Sequence, residues 1–276
     1  MSRIQNILEK AERDGSVRRI RGADSPPAPA HPGIDTAFQP APSPVEMDMD
    51  IAGAAVKASA PVRVVSGARL DRRLLPAMAA DSVAAEQYRA LRTRIFHADN
   101  GAAVHVVLIT SPGRGEGKTL TAGNLGLTMA QDYQRRTCVV DADLRHPQLQ
   151  RLFGLPDGPG LSDVLNGEAT LEEALVTVED HQITILPAGR TCARPAELLG
   201  TSAMRRTLET LRSQFDRVVV DAPATTPLAD VGILTPLVDS VLLVVRSGTT
   251  SKPAIHDAVA ALDASKLLGV VLNEAA

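Results

Sequence analysis

A glycine-rich stretch follows an apolar run near the middle of this chain. The segment reads AVHVVLITSPGRGEGKTL and places Gly113, Gly115 and Gly117 directly before Lys118 and Thr119. Backbone N–H groups of such a turn at a helix N-terminus converge on an anion, and the helix dipole adds to the attraction. In a phosphate-binding loop of this kind, the lysine reaches the β and γ phosphates and the threonine hydroxyl holds Mg²⁺. The segment therefore predicts a nucleotide site.

The loop is a variant, and its assignment depends on acidic residues at two later strand ends. The strict pattern G-x-x-x-x-G-K-[ST] has glycine where this chain has Pro112. Further on, short valine-rich runs lead into Asp141 and Asp143 and, later, into Asp221. Mg²⁺ prefers oxygen ligands, and in P-loop enzymes the loop hydroxyl and a Walker B aspartate hold it. Three strand-to-loop motifs in this order predict a site for a nucleotide with Mg²⁺.

Strand and helix patterns alternate from the glycine-rich loop onward. Short apolar runs predict strands at 103–110, 137–141, 182–187, 217–221, 240–246 and 267–272. Between them we expect helices at 118–132, 196–213 and 252–263, a loop with short helices around 147–153 and 161–176, and a short helix near 229–237. This alternation predicts an α/β fold with a doubly wound, mostly parallel sheet of P-loop NTPase type and helices on both faces. Ligands then belong at the carboxyl ends of the strands, where the loop and the three aspartates fall.

Composition narrows the classes of chemistry and partner. Aromatic residues make up 2% of the chain and there is no Trp, so we expect an aliphatic core suited to a buried parallel sheet. A formal charge of −3 gives no global attraction to nucleic acid, and we expect no nucleic-acid partner.

The cysteines and histidines show no pattern typical of a metal site or a nucleophile. Cys138 and Cys192 lack the spacing of metal ligands, and we expect both to be reduced. The six histidines are scattered along the chain. A membrane-spanning helix needs a run of about 18 apolar residues, and no run in this sequence approaches that length. We therefore expect the chain not to cross a membrane by itself.

Three regions follow from composition along the chain. Residues 1–20 place apolar side chains at helical spacing and predict an N-terminal amphipathic helix, either a docking helix or a frayed, solvated segment. Residues 21–62 hold many prolines and little to bury, which predicts a disordered linker. Residues 63–276 form the predicted P-loop ATPase or kinase domain.

A further helix is predicted over 79–97, ahead of the glycine-rich loop. Its candidates for the core are Val83, Leu91, Ile95 and Phe96. Glu86, Arg89 and Arg92 recur at steps of three on one side. On a helix such charges are usually a solvated face with an internal ion pair.

The motifs taken together resemble a known family. ITSPGRGEGKT, VVDADLRHP and FDRVVVDAP resemble the Walker A, Walker A′ and Walker B motifs of the bacterial tyrosine kinase (BY-kinase) family, the cytoplasmic kinases of polysaccharide export systems. The RPAELL and LLGVVLN segments follow in the family's order, and the similarity spans about residues 79–273. The opening MSRIQNILEKAERDG is similar to the subgroup found beside exopolysaccharide and exosortase loci.

The resemblance implies roles for individual residues. Lys118 would neutralise phosphoryl charge, Asp143 would accept the substrate hydroxyl proton or orient water, and Thr119, Asp141 and Asp221 would hold Mg²⁺. The residues expected to bind ATP are Gly113, Arg114, Gly115, Glu116, Gly117, Lys118, Thr119, Leu120 and Asn273. Two assignments stay open: Arg145 serves the site or pairs with a nearby carboxylate, and Asn273 contacts adenine or only ends a strand.

The resemblance also implies partners. The spacing of Glu86, Arg89 and Arg92 matches the E-x-x-R-x-x-R element through which family members associate into rings, which implies a homo-oligomer. A solvated face remains the alternative. A polysaccharide co-polymerase-type inner-membrane protein is the implied partner, and it would hold this cytoplasmic chain at the inner face of the plasma membrane.

Two departures from the family pattern bear on function. Family kinases usually end in a tyrosine-rich tail, whereas this sequence stops after Asn273 with three further residues, and its only tyrosines are Tyr88 and Tyr133. We expect both tyrosines to be structural rather than acceptors. Arg194 stands in the RPAELL segment where a small polar residue is expected.

Three functions therefore compete. The first is an ATP-dependent tyrosine-protein kinase-like enzyme that regulates exopolysaccharide chain length or export with a membrane partner. The second is a regulatory ATPase whose nucleotide state drives assembly without phosphotransfer. The third is a ParA/MinD-type positioning ATPase, but that family's extra loop lysine would fall at Gly113, and Arg114 is one place off.

Overall fold

A computed structural model describes residues 63–74, 78–79, 81–97, 104–132, 135–226 and 229–274. The predicted N-terminal helix at 1–20, the predicted linker at 21–62 and Tyr133 lie outside the described residues. No helix in these described ranges has the length and apolar character needed to span a membrane.

An eight-stranded sheet forms the centre of the described part of the chain. Its strands are β1 (Arg63–Val65), β2 (Val106–Thr110), β3 (Thr137–Asp141), β4 (Val176–Val178), β5 (Ile183–Leu186), β6 (Arg217–Asp221), β7 (Ser240–Arg246) and β8 (Leu267–Asn273). Their order is β1-β4-β5-β3-β6-β2-β7-β8. Every neighbouring pair is parallel except β4 and β5. The predicted mostly parallel α/β fold is confirmed.

Helices connect and cover these strands. They are α1 (Val83–His97), α2 (Lys118–Ala130), α3 (Leu149–Leu152), α4 (Leu161–Leu165), α5 (Leu171–Ala174), α6 (Pro195–Leu199), α7 (Ser202–Gln214), α8 (Asp230–Leu234) and α9 (Lys252–Ala261). Short 3₁₀ turns lie at Glu179–His181 and Thr235–Leu237.

The core lies on both faces of the sheet. Successive β2 residues alternate between two apolar clusters: Val106 and Leu108 belong to one, and Val107 and Ile109 to the other. Helices α1 and α2 supply the second cluster, while α7 supplies the first through three buried apolar side chains, Met204, Leu208 and Leu211. Because both faces are covered, the central strands are apolar without interruption, and this is why short runs predicted them.

The predicted short helices around 161–176 are present as α4 and α5, and strand β4 begins at the end of this stretch. Thr170 begins α5 by accepting a hydrogen bond from the Glu173 N–H. The single helix predicted at 196–213 was wrong in extent. The stretch at 196–213 is divided into α6 and α7, since Gly200 ends the first and Thr201 accepts a hydrogen bond from the Met204 N–H. Side-chain oxygens at helix starts satisfy N–H groups that the helix itself leaves open.

Strands β1 and β4 were missed by the sequence analysis. Each has only three residues, too few for an alternating pattern to stand out, and each is defined by pairing with a distant or antiparallel strand.

Helix α1 covers the P-loop helix α2 with one apolar side. Ile95 is fully buried, and Leu91 and Phe96 are half-buried against the same cluster, as expected. The guanidinium of Arg217 lies 4.6 Å from the centroid of the Phe96 ring. The prediction that Val83 belongs to the core was wrong, since it is 75% exposed at the first position of the helix.

Candidate functional site

Strand order brings the three predicted motifs to one edge of the sheet. Strand β6 lies between β3 and β2, and all three run parallel. Asp221 is in register with Asp141 on one side and with Ile109 on the other. Adjacent strands lie about 4.8 Å apart, so the two aspartates and the start of the glycine-rich loop are immediate neighbours.

The glycine-rich loop depends on backbone conformations that favour glycine. Gly115 has φ 78° and Gly117 has φ 94°, both in the left-handed region. Gly117 is the N-cap residue directly before α2, so Lys118, Thr119 and Leu120 form the first turn of this helix. Free N–H groups of this turn face the same edge of the sheet as the aspartates, which makes an anion site.

Side chains on both sides brace the loop. The Ser111 hydroxyl donates to the Gly113 carbonyl at 2.6 Å, and the Gly113 N–H donates to Glu116 Oε1 at 3.1 Å. Glu116 is only 7% exposed, and burial raises the pKa of its carboxyl although Thr250 and Gly113 oppose the rise. The Glu116 side chain therefore holds the loop in place by accepting the hydrogen bond from the Gly113 N–H.

Asn273 ends strand β8 and reaches the loop from the side. Its Nδ2 donates to the Glu116 carbonyl at 2.9 Å. A Cβ atom at Gly117 would overlap this amide. The hydrogen bond to Glu116 places the amide next to the loop, and contact with adenine and a plain strand end both stay predictions for Asn273.

Lys118 and Asp143 form an ion pair inside the site. Lys118 Nζ lies 2.7 Å from Asp143 Oδ2, and the two side chains are 12% and 4% exposed. Burial alone would lower the pKa of Lys118, but the nearby Asp221 and Asp143 carboxylates outweigh it and raise that pKa. The lysine is therefore held charged beside the carboxylates.

Asp141 is anchored by backbone donors. Its Oδ2 accepts hydrogen bonds from the N–H groups of Gln148 at 3.0 Å and Leu149 at 2.9 Å. Burial raises the pKa of Asp141, and the Asp143 charge adds to the rise while the backbone donors and Lys118 oppose it. The sequence analysis gave no sign of these backbone donors, because they come from the irregular segment that leads into α3.

Asp221 is the least satisfied polar group of the site. It is fully buried, and neither carboxylate oxygen has a hydrogen-bond partner. Burial raises the pKa of Asp221 well above its usual range, against the opposing effects of Lys118 and of the nearby Thr119 hydroxyl. Buried polar groups nearly always have a hydrogen-bond partner, so two carboxylate oxygens without one indicate a place where a ligand binds.

These residues fit a divalent cation bound with a polyphosphate. Asp141 and Asp221 supply oxygen ligands of the kind that Mg²⁺ prefers, and the Thr119 hydroxyl lies beside Asp221. Within the described ranges no group of three or more His, Cys, Asp or Glu side chains is arranged to hold a metal. Mg²⁺ usually keeps several waters and takes phosphate oxygens, so two carboxylates are in keeping with such a site.

Arg145 pairs with a carboxylate that the sequence analysis missed. Its Nε lies 2.7 Å from Asp230 Oδ2, and its Nη2 lies 3.1 Å from Oδ1. Asp230 is fully buried at the first position of α8. The pair joins the segment after β3 to the segment after β6. An isolated acid nine residues beyond Asp221 gave no signal that could have identified it.

The three charges on α1 make contacts within the chain. Glu86 and Arg89 form an ion pair at 2.8 Å, and Arg92 Nη1 donates to the Thr128 carbonyl at 2.9 Å. Burial raises the pKa of Tyr88 on the same helix, where its hydroxyl lies near Thr121 and Asn124 of α2. Arg194 is exposed and pairs with Glu197 at 3.0 Å.

An open cavity of about 320 Å³ lies in front of the ion pair. It is lined by Arg114, Gly115, Lys118, Asp143, His146 and Gln148. Loop residues, the Lys118 ammonium group and the Asp143 carboxylate thus line one space, an arrangement complementary to a metal-bound polyphosphate and a hydroxyl acceptor.

The fold and the loop define an α/β P-loop NTPase. No protein-family model matches the sequence. Tyrosine-protein kinase YwqD of Bacillus subtilis is 34% identical over 209 residues, which are 75% of this chain and 88% of YwqD. The succinoglycan biosynthesis transport protein ExoP of Rhizobium meliloti is 33% identical over 70% of this chain, but only 25% of ExoP is covered.

A solved structure agrees with these relatives. The crystal structure of the chimerical protein CapA2B2 matches with a TM-score of 0.70 and 28% identity, covering 78% of this chain and 94% of that chain. The chain belongs to the bacterial tyrosine kinase family, as its motifs predict. One of its relatives, ExoP, is named for succinoglycan biosynthesis transport.

Proposed function

We propose that this chain is an ATP-binding, Mg²⁺-dependent tyrosine-protein kinase-like enzyme that regulates exopolysaccharide chain length or export. The observation that carries the proposal is the buried Lys118–Asp143 ion pair at 2.7 Å, beside Asp221 and against the glycine-rich loop. One space thereby holds a phosphate-binding cation and a carboxylate that can take a proton. Family membership and the names of the relatives support the same reaction class.

Each residue of the site has a distinct task in this proposal. The N–H groups of the loop and of the first turn of α2 hold the phosphates, while Lys118 neutralises their charge with its three N–H donors. Thr119, Asp141 and Asp221 hold Mg²⁺, which would neutralise charge on the β and γ phosphates. Neither oxygen of Asp221 has a hydrogen-bond partner, so both are available to bind this ion.

Asp143 would take the proton in the transfer step. The acceptor hydroxyl oxygen attacks the γ phosphorus, and the bond from that phosphorus to the β–γ bridging oxygen breaks. ADP leaves with the bonding electron pair, and the hydroxyl proton passes to an oxygen of Asp143. Asp143 suits this task because it lines the open cavity while it is held by Lys118 and by the His146 N–H.

The second candidate function, a regulatory ATPase, differs from a kinase in that no hydroxyl group of a protein accepts the phosphate. Tyr88 packs against the P-loop helix with its hydroxyl near Thr121 and Asn124, which makes it a poor acceptor. This observation argues against Tyr88 as acceptor, and it favours either another tyrosine as acceptor or a regulatory ATPase that releases phosphate without transferring it.

The proposal also includes two kinds of assembly, with further copies of the chain and with a membrane protein. Glu86, Arg89 and Arg92 would form a homo-oligomer interface, with their intrachain contacts setting the side-chain positions. A polysaccharide co-polymerase-type inner-membrane protein would hold the chain at the cytoplasmic face of the plasma membrane. The matched part is only 25% of ExoP, a relative named for transport, which leaves room there for a fused partner.

One experiment separates these functions. Purified protein is incubated with γ-labelled ATP, Mg²⁺ and a synthetic glutamate–tyrosine copolymer, and both phosphotyrosine and released phosphate are measured. Label on tyrosine indicates a kinase, and phosphate release without label indicates the ATPase. Lys118→Met should lose both signals while keeping the fold, and full activity in that variant would refute the site assignment.

A further inference from the structure

Arg114 is an exposed arginine at the tip of the glycine-rich loop. Its neighbours in sequence are fixed: Gly113 is held by Ser111 and Glu116, and Gly115 takes the left-handed conformation at φ 78°. The backbone on either side therefore gives Arg114 a defined place. Within the described ranges its guanidinium has no hydrogen bond or ion pair.

Arg114 is a lining residue of the same cavity as Lys118 and Asp143. Two other arginines close to this edge of the sheet are paired: Arg145 with Asp230, and Arg246 with Glu274. Arg114 thus stands at the cavity with a guanidinium that can reach a bound ligand.

The phosphoryl group provides a task for a further cation in the cavity. Lys118 is already paired with Asp143, at 2.7 Å. A nucleoside triphosphate brings further negative charge, which builds on the γ-phosphoryl oxygens during transfer. A guanidinium suits this task because its planar donors match two phosphate oxygens at once.

We propose that Arg114 is a catalytic residue that donates hydrogen bonds to the γ-phosphoryl oxygens within its own subunit. This inference rests on the proposed ATP-dependent function and names the group that stabilises the transferring phosphate. Arg114 neither gains nor loses a proton in the step; the hydroxyl proton still passes to Asp143, and ADP departs with the bonding pair. An arginine acting in this way contributes to the rate and contributes little to ADP binding.

The test compares full-length wild type with Arg114→Ala, Arg114→Lys and the control Arg205→Ala. Arg205 is an exposed arginine on α7, outside the cavity. Mg²⁺-dependent phosphate release, affinity for ADP, and affinity for ADP with aluminium fluoride, a mimic of the transferring phosphoryl group, are measured for each protein.

Arg114→Ala should lower kcat by roughly 10²- to 10³-fold and weaken binding of the aluminium fluoride complex by a similar factor. Affinity for ADP should stay within about twofold, because the interaction forms mainly in the transition state. Arg114→Lys should retain an intermediate rate, since its ammonium keeps the charge and loses the planar fork. Arg205→Ala should match wild type in all three measurements.

The outcomes distinguish the two levels of the proposal. Wild type that neither releases phosphate nor binds the aluminium fluoride complex would refute the proposed function and this inference with it. Normal turnover in Arg114→Ala, or an equal loss of affinity for ADP and for the complex, would overturn the role of Arg114 alone. If mixing Arg114→Ala with Lys118→Met restores activity, Arg114 serves a neighbouring subunit, and the assignment within one subunit is wrong.

Discussion

Asp221 should destabilise the nucleotide-free protein at neutral pH. The side chain is fully buried, both of its oxygens lack a hydrogen-bond partner, and Asp141 stands in register beside it on the next strand. Asp221→Asn keeps the shape and removes the charge. A buried polar group without a partner costs about 1–3 kcal/mol and a charged one costs more, so the carboxylate is more costly at this place than the neutral amide. We therefore expect Asp221→Asn to raise the free energy of unfolding by about 1–3 kcal/mol.

The gain should depend on pH in a defined direction. The pKa of Asp221 is higher in the folded chain than the ordinary value, so the folded state holds the proton more tightly than the unfolded state. The contribution of a neutral Asp221 is fully present below the unfolded pKa of about 3.9 and is lost as pH rises through the folded pKa. The advantage of Asp221→Asn should therefore be largest near about pH 8 and shrink toward about pH 5.

Urea unfolding in EDTA, followed by far-UV circular dichroism because the chain has no Trp, measures this difference. Thermal unfolding should show a midpoint higher by about 2–4 °C for each kcal/mol gained. Asp257→Asn on the exposed side of α9 is the matched control and should change stability by less than about 0.5 kcal/mol. An Asp221→Asn variant that is less stable than wild type at every pH, or a gain that does not vary with pH, would refute the reasoning. The same variant should lose Mg²⁺-dependent turnover.

Two further predictions concern the Arg145–Asp230 pair and the charges on α1. Arg145→Met should lower the free energy of unfolding by about 2–4 kcal/mol because it leaves the fully buried Asp230 carboxylate without its partner. Adding Asp230→Asn should recover part of this loss in a double-mutant cycle measured by urea unfolding. Strictly additive losses would show that the two side chains are not coupled. Arg89→Ala with Arg92→Ala should shift mass photometry toward monomers, whereas Arg94→Ala, an exposed arginine on the same helix, should not; an unchanged distribution would remove the proposed interface.

The sequence by itself determined the class of fold and which of its residues meet at one edge of the sheet. Strands β2, β3 and β6 are short uninterrupted apolar runs because both faces of a parallel sheet are buried, so they could be located without a structure. The glycines, Lys118 and Thr119 are contiguous, and Asp141 and Asp221 directly end such runs. Local order was enough to predict that these groups meet, since parallel strands bring their carboxyl ends to one edge.

Tertiary structure decided the contacts that hold the site in place. Asp230 meets Arg145 across 85 residues, and Asn273 meets the Glu116 carbonyl across 157. Neither pair has a local pattern, because each depends on how two loops approach after the sheet has formed. The same reason explains Val83, whose exposure depends on what covers the start of α1. It also explains β1 and β4, three-residue strands that exist through their pairing. Sequence periodicity reports the elements that bury themselves on a continuous face, and single long-range contacts are fixed only when the sheet brings their partners together.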